Sequence, residues 1–460
     1  MNTALGALSA VFWGVVLLSI LVFVHEGGHF LAARAFGVRV TEFYLGLPCR
    51  FKLFVKSKKR GTEFGVTPFL LGGYNRICGM EGVEDELLAP AFAIVQREGR
   101  VEAERVAQEL DVDVSRAYDM LVVLTDWAAI RPYYNPELGE HPHQRDYPAA
   151  FETLRRDANM LTEYDAGNDF AQEGSTEAGA PRALEAPREQ LAQERSRTYL
   201  GCSFPKRIAI LVAGPLVNLL LAFVLAVGAY MSVEYQMPVN ESKVGSVAED
   251  SIAQQTGLQA GDEIEAVGDT KTTTWEELHA ALAAACKAGE DFSLTVRRDG
   301  ASTQLTVDLP EGEEVEAIGI TCQTTPYHLT LPEAMRAAIS YAGMVGRVSA
   351  RLIMPQHTME VLDQSSSIVG ISVMASEAVS KGLLDVLTLV AAISMSLGFM
   401  NLLPIPPLDG GKILIEVIEL CIRRPLSQRA RLIASYVGLA FFAFVFVVVL
   451  RNDFARILFH

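Results

Sequence analysis

The sequence predicts an α-helical polytopic membrane protein with about four transmembrane helices, a membrane-associated β-hairpin, one extracytoplasmic α+β domain and a cytoplasmic, mostly helical insert. Three observations predict it. Half of the 460 residues are hydrophobic and mean hydropathy is positive. Four stretches, at 5–35, 208–231, 384–402 and 433–450, approach the roughly 20 apolar residues needed to cross a bilayer. Long polar segments of different composition separate them. The formal charge of -16 argues against nucleic acid as a partner. Six cysteines without a C-x-x-C spacing indicate neither a disulfide framework nor a thiolate metal site.

The first span (1–36) has no charged residue from Met1 to Val24 and passes directly into His25-Glu26-Gly27-Gly28-His29. Residues four apart share a helix face, so both imidazoles can reach one metal while Glu26 lies beside them. Ionisable groups are costly at membrane depth and mark functional sites there; a soluble core helix with hydrogen-bonded histidines is the alternative. Two histidines leave a zinc site incomplete, so a third ligand must come from elsewhere. The third span (384–421) is broken by Asn401-Leu402-Leu403-Pro404-Ile405-Pro406-Pro407-Leu408-Asp409-Gly410-Gly411, where three prolines forbid a continuous helix. Asp409 is the best candidate for the missing ligand: a carboxylate suits zinc and the following glycines permit close backbone approach. A turn or helix-capping Asp is its other reading.

Basic residues set the orientation. Lys52, Lys56, Lys58, Lys59 and Arg60 follow the first span, and Arg423, Arg424, Arg429 and Arg431 precede the fourth (433–451), so both connections should be cytoplasmic and both termini outside. At 1.5 Å per residue, a helix entering near Leu5 reaches His25 after about 30 Å, near the far side of the hydrocarbon core. A third span entering from the same side carries Asp409 to similar depth.

Residues 37–80 include β-like stretches around Gly72-Gly73, read as a hairpin near the active site whose edge positions an extended substrate. The insert at 81–165 reads as helix, turn, helix over 100–131, similar to a helix-turn-helix, perhaps winged. Four basic against seven acidic residues in that window disfavour DNA. A protein-docking or regulatory module, or a spacer, fits better. His141-Pro142-His143 reads as loop histidines, and 166–199, rich in Gly, Ala, Glu and Pro, as a flexible linker. The second span covers 200–231.

Residues 240–323 follow a strand, a helix from Ser251, a turn at 257–261, a strand and a helix near Thr274. That order resembles a bacterial PDZ domain, which captures extended segments by strand addition; a ligand-free spacer is the alternative. Cys286 and Cys322 both fall here, in an oxidising compartment. Residues 326–383 form an amphipathic and linking segment, read as an interfacial helix or as domain packing.

With these pieces the chain resembles the site-two protease family, the intramembrane zinc metalloproteases of regulated intramembrane proteolysis, and within it the bacterial PDZ-containing members. HEGGH at 25–29, PFLLGGYNRICGM, AGPLVN at 213–218 and NLLPIPPLDGG at 401–411 carry the resemblance. The insert falls outside it. Gly46-Leu47-Pro48 and Ser366-Ser367-Ile368-Val369-Gly370 depart from the family's loop patterns. The resemblance implies Zn2+ held by His25, His29 and Asp409, with Glu26 as catalytic base and Asn218 near the site. It also implies that Asn401 and the loop through Pro404 hold the substrate backbone. Substrates would be transmembrane segments of single-pass membrane proteins, such as anti-sigma factors or signal-peptide remnants. A catalytically silent scaffold is the rival reading, and Glu26 and Asp409 oppose it, because a scaffold needs neither. A zinc transporter or sensor leaves the hairpin and the PDZ-like region unexplained.

Overall fold

The computed structural model describes residues 2–70, 72–80, 85–142, 147–310 and 315–459. Four of its helices are long and apolar enough to cross a membrane: Leu8–Ala35, Phe204–Ser232, Leu383–Asn401 and Arg429–Ala455. Their exposed leucines, valines and phenylalanines make sense in lipid, where apolar surface needs no cover. The chain divides into two compact units, one formed by Met1–Ala229 with Arg336–His460, the other by Tyr230–Met335.

Within the first unit, small residues set the helix packing. An added Cβ at Gly28 would lie 2.4 Å from the Ala213 carbonyl oxygen, and one at Gly214 would lie 2.3 Å from His29 Nε2. The helix carrying HEGGH therefore approaches the helix carrying AGP only because both positions are glycine. A 14-residue helix, Ile368–Lys381, also packs against the first span: Ser9 and Ser376 hydroxyls are 3.0 Å apart, and Gly14 faces Ser372 at a distance that excludes a side chain. By sequence this helix falls inside the amphipathic and linking segment 326–383. It is too short to span, and its apolar composition becomes explicable only by the neighbour it covers.

The predicted hairpin is not one. Strands Glu63–Val66 and Gly73–Ile77 do not pair with each other; each flanks Val40–Leu45, the first parallel and the second antiparallel to it. A fourth strand, Leu53–Lys56, completes the sheet, and Gly73–Ile77 forms one edge. The Gly72-Gly73 signal was that of a chain reversal, but Val40–Leu45 supplies the partner for both arms.

The insert is a mixed module. Helices Leu88–Glu98, Ala103–Leu110 and Val114–Asp126 pack with an antiparallel sheet in which Ala150–Thr153 lies between Arg100–Glu102 and Ile130–Pro132. The sheet flanks the three helices as a wing, and both share a core of Phe92, Leu121, Trp127 and Phe151. His143 of the His-Pro-His run lies outside the described residues. The stretch 166–199, expected to be a flexible linker, instead folds back on the module. It contains helix Pro187–Ser196, and its Glu194 is fully buried, accepting from Arg39 at 2.6 Å and Arg156 at 2.7 Å. Composition misreads it because two arginines distant in sequence supply the counter-charge.

In the second unit, Ser251 caps helix Ile252–Gln255, and Thr274 with Glu277 forms a capping box on helix Trp275–Ala288. These signals stop each helix from starting earlier. A four-stranded antiparallel sheet packs on the second helix around Ile264, Leu278, Leu294 and Val296. Cys286 is buried in that core, and both it and Cys322 are free thiols.

Candidate metal centre

Three buried donors converge at the end of the first span. His25 Nε2 and His29 Nε2 lie 3.0 and 3.2 Å from Asp409 Oδ2, and 3.2 Å from each other. The three residues are 5, 7 and 7% exposed, unlike the solvated acidic clusters common on surfaces. Among the described residues this is the group of His, Cys, Asp and Glu side chains placed to share an ion. The donor set fits zinc. Ligand bonds of about 2.0 Å in tetrahedral coordination separate donors by about 3.3 Å, close to the spacing seen.

Each donor is held by a neighbour. His29 Nδ1–H donates to the Ile210 carbonyl at 2.8 Å, so its Nε2 lone pair points into the cluster. The Asn218 amide lies 3.5 Å from His25 Nδ1, and its Oδ1 is buried without a partner. A half-turn of that amide lets Oδ1 accept from His25 Nδ1–H, which satisfies both groups and frees His25 Nε2 as a ligand. Ser394 donates to the Asn218 backbone oxygen at 2.8 Å, joining the second and third spans behind the site. Asp409 opens helix Asp409–Ile422. Added Cβ atoms at Gly410 and Gly411 would meet the 402–406 backbone at 2.2–2.3 Å, so the glycines let the proline loop fold over the helix start. Lys412 Nζ lies 3.9 Å from Asp409 Oδ1.

Glu26 is one residue from the first ligand. Its Oε2 accepts from Asn75 Nδ2 at 2.7 Å, and the same amide donates to the Glu26 backbone oxygen at 3.0 Å. Asn75 lies within PFLLGGYNRICGM, where spacing gives it no role. The available signal was an Asn, a poor strand former, within a stretch otherwise read as β. The remaining named residues stand apart from the cluster. Asn401 donates to Leu397 of its own helix at 3.1 Å, Pro404 is exposed, Gly72 accepts from the Gly46 amide, and Gly73 lies against Phe23 of the first span. A cavity of about 1430 Å³ opens onto Glu26, His29 and Asp409.

A model of peptidase family M50 matches residues 13–445. The chain belongs to peptidase family M50. It is similar to the zinc metalloprotease RasP of Oceanobacillus iheyensis, 24% identical over 454 residues that cover 96% of this chain and 98% of that protein. The regulator of sigma-W protease RasP of Bacillus subtilis is 24% identical over 453 residues, covering 96% and 97%. The probable protease eep of Enterococcus faecalis is 27% identical over 451 residues, covering 97% and 98%. As an M50 peptidase with four helices able to cross a membrane among its described residues, the chain is a membrane protease whose buried donor cluster sits at the end of an apolar helix.

Proposed function

We propose that this chain is an intramembrane zinc endopeptidase that hydrolyses peptide bonds within transmembrane segments of single-pass membrane proteins. Anti-sigma factors or signal-peptide remnants are proposed as such substrates, in keeping with a relative named regulator of sigma-W protease. The single observation that carries the reading is the convergence of His25, His29 and Asp409 at 3.0–3.2 Å beside Glu26, at the end of a helix with hydropathy suited to lipid.

His25, His29 and Asp409 would hold the zinc. When bound, zinc polarises the scissile carbonyl and brings the pKa of water near 7. Glu26 takes a proton from the attacking water and delivers it to the leaving amine, while Asn75 holds Oε2 at 2.7 Å so that one oxygen stays oriented for both transfers. A transmembrane helix satisfies its own backbone and must unwind before attack. The edge strand Gly73–Ile77 offers backbone groups to the unwound segment by strand addition, and Asn401 with the loop through Pro404 is proposed to hold its other side. The Tyr230–Met335 unit is read as a PDZ-like domain outside the membrane, with the insert and both charged connections in the cytoplasm.

The test is cleavage of tagged single-pass membrane segments by purified protein in detergent, comparing wild type with Glu26→Gln and with a zinc chelator. Cleavage within the membrane segment is expected from wild type alone, while Glu26→Gln keeps its zinc and falls by about 10²-fold or more. Undiminished cleavage by Glu26→Gln would sink the reading.

A further inference from the structure

The winged module is built into the active-site unit. Arg39, four residues beyond the HEGGH helix, is fully buried and donates to Asp165 at 2.6 Å, to Glu194 at 2.6 Å and to the Trp127 and Ala128 carbonyls. The strand that carries Asn75 is tied to the same module twice. Arg76 donates to the Tyr147 hydroxyl, and the Gly79 amide, just past the strand, donates to Asp126 at 2.9 Å. A module bonded at these points is a fixed wall, not a tethered domain.

That wall belongs to the cavity already described. Thr125, Asp126, Arg131, Tyr134 and Tyr147 line the same space of about 1430 Å³ as Glu26, His29 and Asp409. The space exceeds a small-molecule pocket of about 300–1,000 Å³. Its module side carries both charge signs and phenols, a polar wall costly to cover with lipid tails and matched to the backbone and polar side chains of an extended peptide. A folded domain of about 100 residues has a radius of gyration near 13 Å, too large to enter.

We infer that the winged module is a substrate filter: it receives, as an extended polar chain, the flank that follows the unwound membrane segment, and it excludes substrates with a folded domain abutting the membrane on that side. The inference rests on the protease reading. It assigns Thr125 and Tyr134 to substrate selection although neither belongs to the proposed catalytic set.

Two model substrates with one Leu/Ala span test it, the first carrying an extended Gly/Ser/Lys/Glu flank of about fifteen residues on the module side and the second almost none. Tyr134→Ala, which widens the wall, and Thr125→Trp, which fills it, are compared with wild type for kcat/KM, with bound zinc as the check on folding. A benzophenone amino acid at Tyr134, in the Glu26→Gln background, reports contact directly. The expected result is a change of about fivefold or more with the flanked substrate, in opposite directions for the two variants. Cleavage of the short substrate stays unchanged, and the crosslink maps to the flank. Equal effects on both substrates, or no crosslink to the flank, overturn the filter while leaving the protease reading intact. Failure of wild type to cleave either substrate overturns the protease reading and the filter with it.

Discussion

Asn75 shows how much one side chain does at this site. A carboxylate beside two imidazoles has two oxygens and free rotation about its terminal bond; a 2.7 Å hydrogen bond to Oε2 removes that freedom. Hydrogen bonds to charged groups contribute about 1.5–3 kcal/mol, which sets the expected loss. Asn75→Ala should lower kcat by about ten- to a hundredfold with KM and zinc content unchanged, because the amide bonds Glu26 and none of the three metal donors. Steady-state kinetics with metal analysis checks this; a rise in KM at constant kcat would instead make Asn75 a substrate contact. The convergence of His25, His29 and Asp409 was legible from residue type, the i, i+4 spacing and the depth of the two spans. Asn75 was not, since its meaning comes from a strand register, Phe43 opposite Asn75, that aims the amide at the first span.

Among elements, the buried Arg39–Glu194–Arg156 group decides how the winged module is attached. Burial by itself would raise the Glu194 carboxyl, yet Arg156 and Arg39 hold it below the ordinary range, and Arg39 does the same for Asp165 against its own burial cost. Both folded-state values are depressed, so the stability they contribute is present above the unfolded values of about 4 and is lost as pH falls through the lower, folded ones. Limited proteolysis of the module should therefore be flat from pH 7 to about pH 5 and accelerate only below about pH 4. Glu194→Gln at neutral pH leaves the Arg156 guanidinium buried without a carboxylate. Breaking such a pair costs about 3–5 kcal/mol, so the same proteolysis should expose the module at pH 7. A variant as resistant as wild type would show that carbonyls suffice to hold Arg156 and that Asp165 with carbonyls suffices for Arg39. The flexible-linker expectation failed at this same place: low hydrophobicity predicts disorder only when charges lack partners, and these have them.

At the scale of the molecule, the basic connections predict both termini outside and the Arg423 region in the cytoplasm. Cys421, exposed at the end of the Asp409 helix, makes this measurable in a variant retaining it as the sole cysteine. A membrane-impermeant maleimide should leave it unlabelled in intact cells and label it in inside-out vesicles, whereas tags at either terminus should react in intact cells. The reverse pattern would invert the topology and place the winged module outside. Family membership makes the chain an M50 peptidase whichever way it lies, so this measurement bears on which side substrates present their flanks.

By itself the sequence determined whatever depends on local pattern: four apolar runs long enough for lipid, an i, i+4 histidine pair with its glutamate, an interrupted third span carrying an aspartate, and the caps that start the helices of the Tyr230–Met335 unit. Lipid imposes a length and the helix imposes a period, and both are written along the chain. The tertiary structure alone decided what depends on partners far apart in sequence. Val40–Leu45 became the shared neighbour of two strands that composition had paired with each other. Glu194 became the core of a module because Arg39 and Arg156 came to it. The winged module became a wall of the active-site cavity because hydrogen bonds at Arg39, Arg76 and Gly79 fix it there, across 155, 71 and 47 residues, and no local window of sequence records such contacts.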